Sequence, residues 1–361
     1  MNASTLVASS ATAFAASALF MVVLQPLARH LGLLDRPGGH KTHDGEVPVI
    51  GGIAMYMGLA VATLLGATLA EHGYATLGVA VLMVLVGGLD DRFNLPPVTR
   101  LYAHLMAAIL LVFWTGFIVP DLGNLFGMGV VDLSFLDPVF TVVACVALVN
   151  AFNMLDGLDG LAGSCALMGC AALTVIAFAG GGETSAVLAA SMVGTVLGFL
   201  IFNMPVVRKH PFRAFMGDAG STLLGFIIAA LALTLVQTDR ADVSPVLIVW
   251  IVAIPIFELF ATTFRRLLRG SSPLEPDNGH FHHVLRDAGL SVRVVFVTYL
   301  AVSAVTASFA VWAHREGVPD QVLFAAFVFA FFAWMLAVHN VRRVSVLLAR
   351  ITGQPAAAQA G

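Results

Sequence analysis

FMGDAGSTLLGFIIAALALTLVQ, residues 215–237, sets one acid, Asp218, at the head of a run (219–237) that carries no charge. Roughly 17 to 25 apolar residues cross a bilayer as a helix, so the run from Gly220 to Gln237 reads as a membrane span, with its only carboxylate where the span begins. Working outward in both directions, about eleven stretches qualify on the same criterion. They are 4–27, 49–70, 74–89, 101–119, 138–154, 160–180, 184–202, 220–237, 244–264, 294–314 and 321–341, the third and fifth being short. Composition agrees: 59% of the 361 residues are hydrophobic and 11% charged, where an ordinary soluble domain has about 25% charged. The expected fold is an all-α polytopic membrane bundle, one domain over 1–345 followed by a tail, 346–361, whose Ala, Gln and Gly residues from Pro355 onward predict disorder.

Basic residues are retained on the cytoplasmic side of a membrane, which makes the loops a test of topology. Nothing basic precedes the first span and Arg29 follows it, which argues against a cleavable signal and places the N-terminus outside. Alternate loops then hold 16 of the 18 Lys and Arg on the inner side, leaving Arg240 and Arg315 outside. The C-terminus is therefore expected in the cytoplasm. Outer connections such as 71–73, 180–183 and 239–243 are short, so function is expected in the membrane or on its inner face. A net charge of −3 offers no basic face for nucleic acid. Cys145, Cys165 and Cys170 all lie in apolar stretches and read as small buried hydrophobes. No internal repeat of the transporter kind is visible.

Five polar clusters fall at inner span ends. The first, Arg36-Pro-Gly-Gly-His-Lys41-Thr-His43, leads to Gly51-Gly52. Its glycines would let backbone approach a ligand, and Lys41 and His43 could meet phosphate, although the positive-inside rule alone accounts for such a loop. The second, Gly87-Gly88-Leu89-Asp90-Asp91-Arg92, holds adjacent carboxylates, which suit metal-assisted phosphoryl transfer or a proton base when a cation sits beside them. In the third, Asn150, Asn153, Asp156 and Asp159 recur every three residues, so that on one continuous helix they would share a face. Unpaired acids at membrane depth cost roughly 2.5 to 3.5 kcal/mol each, and no Lys or Arg lies near them in sequence; a cation or a polar substrate is the expected partner.

The fourth cluster surrounds Asp218, where the first N–H groups and positive end of a helix would face the same place as the carboxylate, a combination that fits a magnesium ion with a diphosphate. Its N-terminal approach carries Asn203, Arg208, Lys209 and Arg213. The fifth joins Arg265, Arg266 and Arg269 to His280-Phe281-His282-His283. Without a cysteine or acid to complete a zinc site, hydrogen bonding to a nucleotide or its phosphates is the better reading. Glu258 and His104 lie within spans and read as satisfied interior groups, and Trp250, Trp312 and Trp334 as interface anchors.

The strings GGLDDRFNLP, NAFNMLDGLDGLAG, FMGDAGST and PDNGHFHH, in this order and on these loops, resemble the polyprenyl-phosphate N-acetylhexosamine-1-phosphate transferases (glycosyltransferase 4 family). Within them the chain is most similar to the bacterial branch that loads N-acetylglucosamine-1-phosphate onto undecaprenyl phosphate to start O-antigen or related surface polysaccharides. The resemblance runs from Arg36 to His283. It implies transfer from UDP-N-acetylglucosamine with release of UMP, a Mg2+ requirement that Mn2+ can meet, and a multi-pass inner-membrane protein with its active site on the cytoplasmic face.

By the same resemblance Asp90 and Asp91 match the paired aspartates, the first a proposed base, and Asp156 and Asp159 match an acidic pair tied to catalysis or nucleotide binding. Asp218 and Asn153 match positions implicated in holding metal and diphosphate, while Arg265 and the histidines His280, His282 and His283 match the nucleotide-sugar loop. Lys41, His43 and Asn150 join them as candidate substrate contacts. Arg92-Phe93-Asn94 and the phenylalanine inside HFHH depart from the muramoyl-pentapeptide branch. Other readings are the same reaction on another UDP-N-acetylhexosamine and, from a different class, a cation-coupled transporter using Asp156 and Asp159.

Overall fold

The computed structural model describes residues 2–35, 45–66, 71–204, 212–237, 243–270, 272, 280–287 and 289–340. Almost everything in it is helix. The elements are α1 (Ala3–Leu31), β1 (Leu34–Asp35), β2 (Val47–Pro48), α2 (Gly51–Gly66), α3 (Glu71–Phe93), α4 (Pro97–Thr115), α5 (Asp137–Leu155), α6 (Leu161–Ala179), α7 (Glu183–Asn203), α8 (Gly217–Gln237), α9 (Pro245–Ile251), α10 (Ala253–Leu268), α11 (Phe281–Asp287), α12 (Val292–Arg315) and α13 (Asp320–His339). Among the described residues nine helices are long and apolar enough to cross a membrane, and α9 with α10 forms a further, bent pair. The remaining predicted stretch, 49–70, carries the 16-residue α2. The chain is thus an all-α polytopic membrane protein. The tail assigned to 346–361 lies outside the described residues.

Local chemistry explains where the helices stop. Gly32 and Gly116 close α1 and α4 in the left-handed conformation, with φ of 70° and 69°, which a Cβ would disfavour. Ser244 and Ser291 cap α9 and α12 by accepting the N–H groups of Val246 and Val294. The single span predicted over 244–264 is instead broken, α9 and α10 meeting at 87°. Pro255 supplies the reason: its ring would collide with the carbonyl four residues back, that of Ile251, where α9 ends.

The helices sort from inside to outside. α8 is the most enclosed and packs against α3, α5, α2 and α6, while α13 stands at the periphery. Exposed apolar side chains such as Phe113 (79%) and Phe329 (76%) would be a liability in water and form the lipid-facing surface here. The three cysteines are buried and free, as expected. Two tryptophans depart from the interface role. Trp250 and Trp334 are buried in an aromatic cluster with Phe257, and Trp250 Nε1 donates to the Leu323 carbonyl at 3.0 Å; Trp312 is exposed.

Glycine sets how closely the central helices approach. A Cβ on Gly52 would lie 2.2 Å from the backbone nitrogen of Gly220, and one on Gly87 would lie 2.4 Å from that of Ala219. The N-terminus of α8 is therefore clamped between α2 and α3 by backbone contact, the small-residue packing typical of membrane helices. Gly51-Gly52 thus serves helix packing. Beside it, β1 and β2 pair antiparallel and Val49 bridges to Phe215, with the Phe215 N–H donating to the Pro48 carbonyl at 2.8 Å.

Candidate active site

Asp90 and Asp91 both occupy the last turn of α3 but work in different directions, because adjacent helical residues project about 100° apart. Asp91 reaches the start of α8 and accepts the N–H groups of Asp218 at 2.7 Å and Ala219 at 3.2 Å. It caps another helix in trans. Those donors are consequently engaged by protein, a correction to the expectation that they stand open beside Asp218 for a phosphate. Gly217 makes the contact feasible: its φ is 71°, and a Cβ there would lie 2.5 Å from Asp91 Oδ2.

Asp90 is enclosed, its side chain 2% exposed, and accepts from Arg100 at 3.1 Å and from the Leu95 N–H at 2.7 Å. The turn after α3 wraps around it, with Asn94 in the left-handed region at φ 52°. Arg100, in the first turns of α4, also lies 3.9 Å from Asp218 Oδ2. It therefore faces both carboxylates, which also lie within reach of each other. Asp218 Oδ1 in turn accepts from Asn153 Nδ2, which also donates to Ser221 at 3.0 Å. A small cleft runs between α3, α4, α5 and α8, lined by Asp90, Arg100, His104, Asn153, Asp218 and Thr222.

The helix α5 ends at Leu155, so Asn150 and Asn153 lie on it while Asp156 and Asp159 do not. The shared face expected of all four fails at this point, for the physical reason that the chain turns through Gly157 and a left-handed Gly160 (φ 76°). Buried Asn203 fixes the turn: its Oδ1 accepts the Gly160 N–H at 2.7 Å and its Nδ2 donates to the Ala214 carbonyl at 2.9 Å. That staple brings Arg213 onto Asp159, a basic partner distant in sequence. Asp156 has no basic partner among the described residues. Burial pushes its carboxyl well above the usual range, and the charges of Asp218, Asp91 and Asp159 push it further. Asn150 bonds back to the Val146 carbonyl at 2.8 Å and lies beside His104.

The histidines arrive on α11. His282 is fully buried and wedged against the α5–α6 turn, where a Cβ on Gly157 would lie 2.2 Å from its Nε2. It stacks parallel to His280 at 5.6 Å and lies 4.2 Å from His283, between ring centroids. Burial, with the two neighbouring histidines, pushes its pKa down to about 2, so the ring stays neutral. Neither ring nitrogen has a hydrogen-bond partner among the described residues. A neutral imidazole so placed offers one donor and one acceptor. Glu258 is the satisfied interior group expected of it, accepting from Tyr299 and from the Phe281 N–H at 3.2 Å. Arg265 lies in the last turn of α10.

A continuous set of contacts therefore links the ends of α3 and α5 with the beginnings of α4 and α8, and through Gly157 with α11. It includes Asp90, Asp91, Asn153, Asp218 and His282, with Asp156 and Asp159 on the turn between. Lys41 and His43 fall outside the described residues. Arg100 was missed, counted only as an inner-side charge, and Asn203 was named beside the fourth cluster without a role, although a polar amide in the last turn of an apolar span was the available signal.

Among the described residues no three His, Cys, Asp or Glu side chains form a ready metal cage. The donor chemistry nonetheless fits magnesium, which takes one or two carboxylates and completes its shell with water and substrate phosphate. Asp156 and Asp218 are the available pair, and the mutual repulsion felt at Asp156 is what a cation would relieve.

Residues 74–236 match the model of glycosyl transferase family 4. Full-length relatives are similar throughout. The protein named undecaprenyl-phosphate alpha-N-acetylglucosaminyl 1-phosphate transferase of Escherichia coli (strain K12) is 32% identical over 352 residues, 97% of this chain and 96% of that protein. Its namesake of Yersinia pestis is 32% identical over 338 residues, 93% of this chain and 92% of that protein. The Haemophilus influenzae protein of the same name is 32% identical over 332 residues, covering 92% and 94%.

Proposed function

Because the chain belongs to glycosyl transferase family 4, the polyprenyl-phosphate N-acetylhexosamine-1-phosphate transferases, we propose that it transfers N-acetylglucosamine-1-phosphate from UDP-N-acetylglucosamine to undecaprenyl phosphate, releasing UMP. One observation carries this reading: the carboxylates of α3 and α8, the acidic turn after α5 and the histidines of α11 meet through a single set of contacts at span ends. A transporter would be expected to keep its acids deep within spans. A lipid phosphate keeps its tail in the bilayer while its head meets a nucleotide sugar from the cytosol, so the site would face the cytoplasm of the bacterial inner membrane. The weight of Lys and Arg on that side of the predicted topology supports the orientation.

An oxygen of the lipid phosphate attacks the phosphorus that bears the sugar. The bond from that phosphorus to the bridging oxygen breaks, and the electron pair leaves with UMP. Arg100, held by Asp90, meets developing negative charge next to Asp218. Asp91 holds the start of α8 and so fixes Asp218, while Asn153 orients the Asp218 carboxylate. His282 and its neighbours, with Arg265 and Arg213, hold the nucleotide half, and Lys41, His43 and Asn150 are further candidate contacts. Asp218 and Asp156 would hold Mg2+, or Mn2+ in its place, which neutralises diphosphate charge when bound.

The enclosure of Asp90 and its bond to Arg100 favour a role in positioning that arginine over one as a free base. The test is UMP release by purified protein given both substrates, with and without Mg2+. Release that needs both the lipid and the metal supports the assignment; none across a panel of UDP-sugars, from folded protein, rejects it. The same panel ranks the hexosamines.

A further inference from the structure

Glu258 lies in the second half of the broken span, 1% exposed, where an acid makes a poor packing residue and has to be compensated. Both its oxygens are occupied by donors from other elements. Tyr299 of α12 donates its hydroxyl to Oε1, and the Phe281 N–H donates to Oε2 at 3.2 Å. Phe281 is the first residue of α11. Thr262, one turn along α10 from Glu258, has its hydroxyl 3.3 Å from Nδ1 of His280, and the same nitrogen lies 3.9 Å from Glu258 Oε2. The Phe281 ring is seated between Tyr299 and Trp334, with centroids 6.1 and 4.6 Å away.

Seven residues are too few for a helix to hold itself in place. The direction of α11, and with it the position of His282 against Gly157, therefore depends on these ties. The ties also explain why the residue is Glu. Both contacts donate to the carboxylate here; a glutamine could keep its oxygen on the Phe281 N–H only by facing its NH2 group to Tyr299, whose hydroxyl would have to turn and accept, exchanging a charge-assisted bond for a neutral one.

We propose that Glu258 is a positioning residue for the donor substrate: together with Tyr299 it anchors the start of α11 and holds the histidines in their place beside the α5–α6 turn. This rests on the reading of those histidines as the nucleotide-sugar contacts. The effect is expected on the donor alone, with the lipid acceptor as the control.

The experiment compares KM for UDP-N-acetylglucosamine and for undecaprenyl phosphate in wild type, Glu258→Gln, Tyr299→Phe and the double variant. Glu258→Gln is expected to raise the donor KM about tenfold while the acceptor KM stays within about twofold. Tyr299→Phe should do the same to a smaller extent. The double variant should be no worse than Glu258→Gln, because the two side chains share one contact. A merely structural role would lower the melting temperature in detergent without separating the two KM values. An unchanged donor KM in Glu258→Gln, or donor and acceptor KM rising together, overturns the proposal. Should that variant fail to fold, Tyr299→Phe decides by the same criterion. Wild type that turns over no UDP-sugar overturns the functional reading and this inference with it, whereas active wild type with an unmoved variant overturns this inference alone.

Discussion

At the N-terminus of α8, backbone meets backbone through Gly52 and Gly87, whereas α11 hangs from the side chains of Glu258, Tyr299 and Thr262. The first region is rigid because nothing can be inserted between its helices. The second is held by side chains, the packing of Phe281 and Leu285 together with a few polar contacts, and is expected to shift when one of those contacts is altered. The two together suit a site that keeps a reacting centre fixed while it grips and releases a nucleotide. They also predict different mutational signatures.

The largest effect should come from Gly87→Ala or Gly52→Ala, because the new methyl would lie 2.4 or 2.2 Å from backbone nitrogen that cannot retreat. Overpacking of this kind costs about 1–3 kcal/mol and at times more, so both variants should lose folded, monodisperse protein together with activity. Gly88→Ala, whose Cβ meets nothing within 4 Å, should behave as wild type in the same melting assay. Equal tolerance of all three would dissolve the distinction between the regions.

Next in size is Asp218→Asn, which should lower turnover by roughly 100-fold or more while melting is retained; wild-type-like kcat in the purified variant would remove Asp218 from the mechanism. Asp156 gives a signed prediction. Its folded-state pKa is raised above the ordinary 3.8, so between those values the folded protein binds more protons than the unfolded chain, and stability falls as pH rises. Asp156→Asn should therefore raise the melting temperature at neutral pH, flatten its pH dependence and reduce turnover. A lower melting temperature would contradict the mutual repulsion of carboxylates there. The smallest effect should come from Gly157→Ala, where the added methyl would meet the tip of a side chain, His282, and not backbone. A severalfold rise in donor KM with little change in melting is expected, and loss of fold would mean that the histidine side is as rigid as the carboxylate side.

The spans were legible because crossing a bilayer demands long apolar runs, and every predicted run overlaps helix among the described residues, although α2 is too short to count as a span. The break at Ile251 was not read, although Pro255 marked it; hydropathy alone does not register direction. Asp218 and Asn153, singled out in the sequence, meet in the structure, as do the histidines and the acidic turn. The helical face drawn through Asp156 and Asp159 was wrong because Gly157 and Gly160 end the periodicity on which it relied. Arg100 and Arg213 went unnoticed as partners of Asp90 and Asp159 because those pairings join separate loops. The division of labour between Asp90 and Asp91 likewise depends on what packs beside α3, which no local pattern encodes.

The most direct test of the transferase assignment follows a radiolabel in the β-phosphate of UDP-N-acetylglucosamine, incubated with purified protein, Mg2+ and undecaprenyl phosphate. Sugar-1-phosphate transfer predicts that the label enters the lipid fraction while UMP appears in equal amount. Label that stays in water, or leaves as UDP while unlabelled sugar joins the lipid, would contradict it.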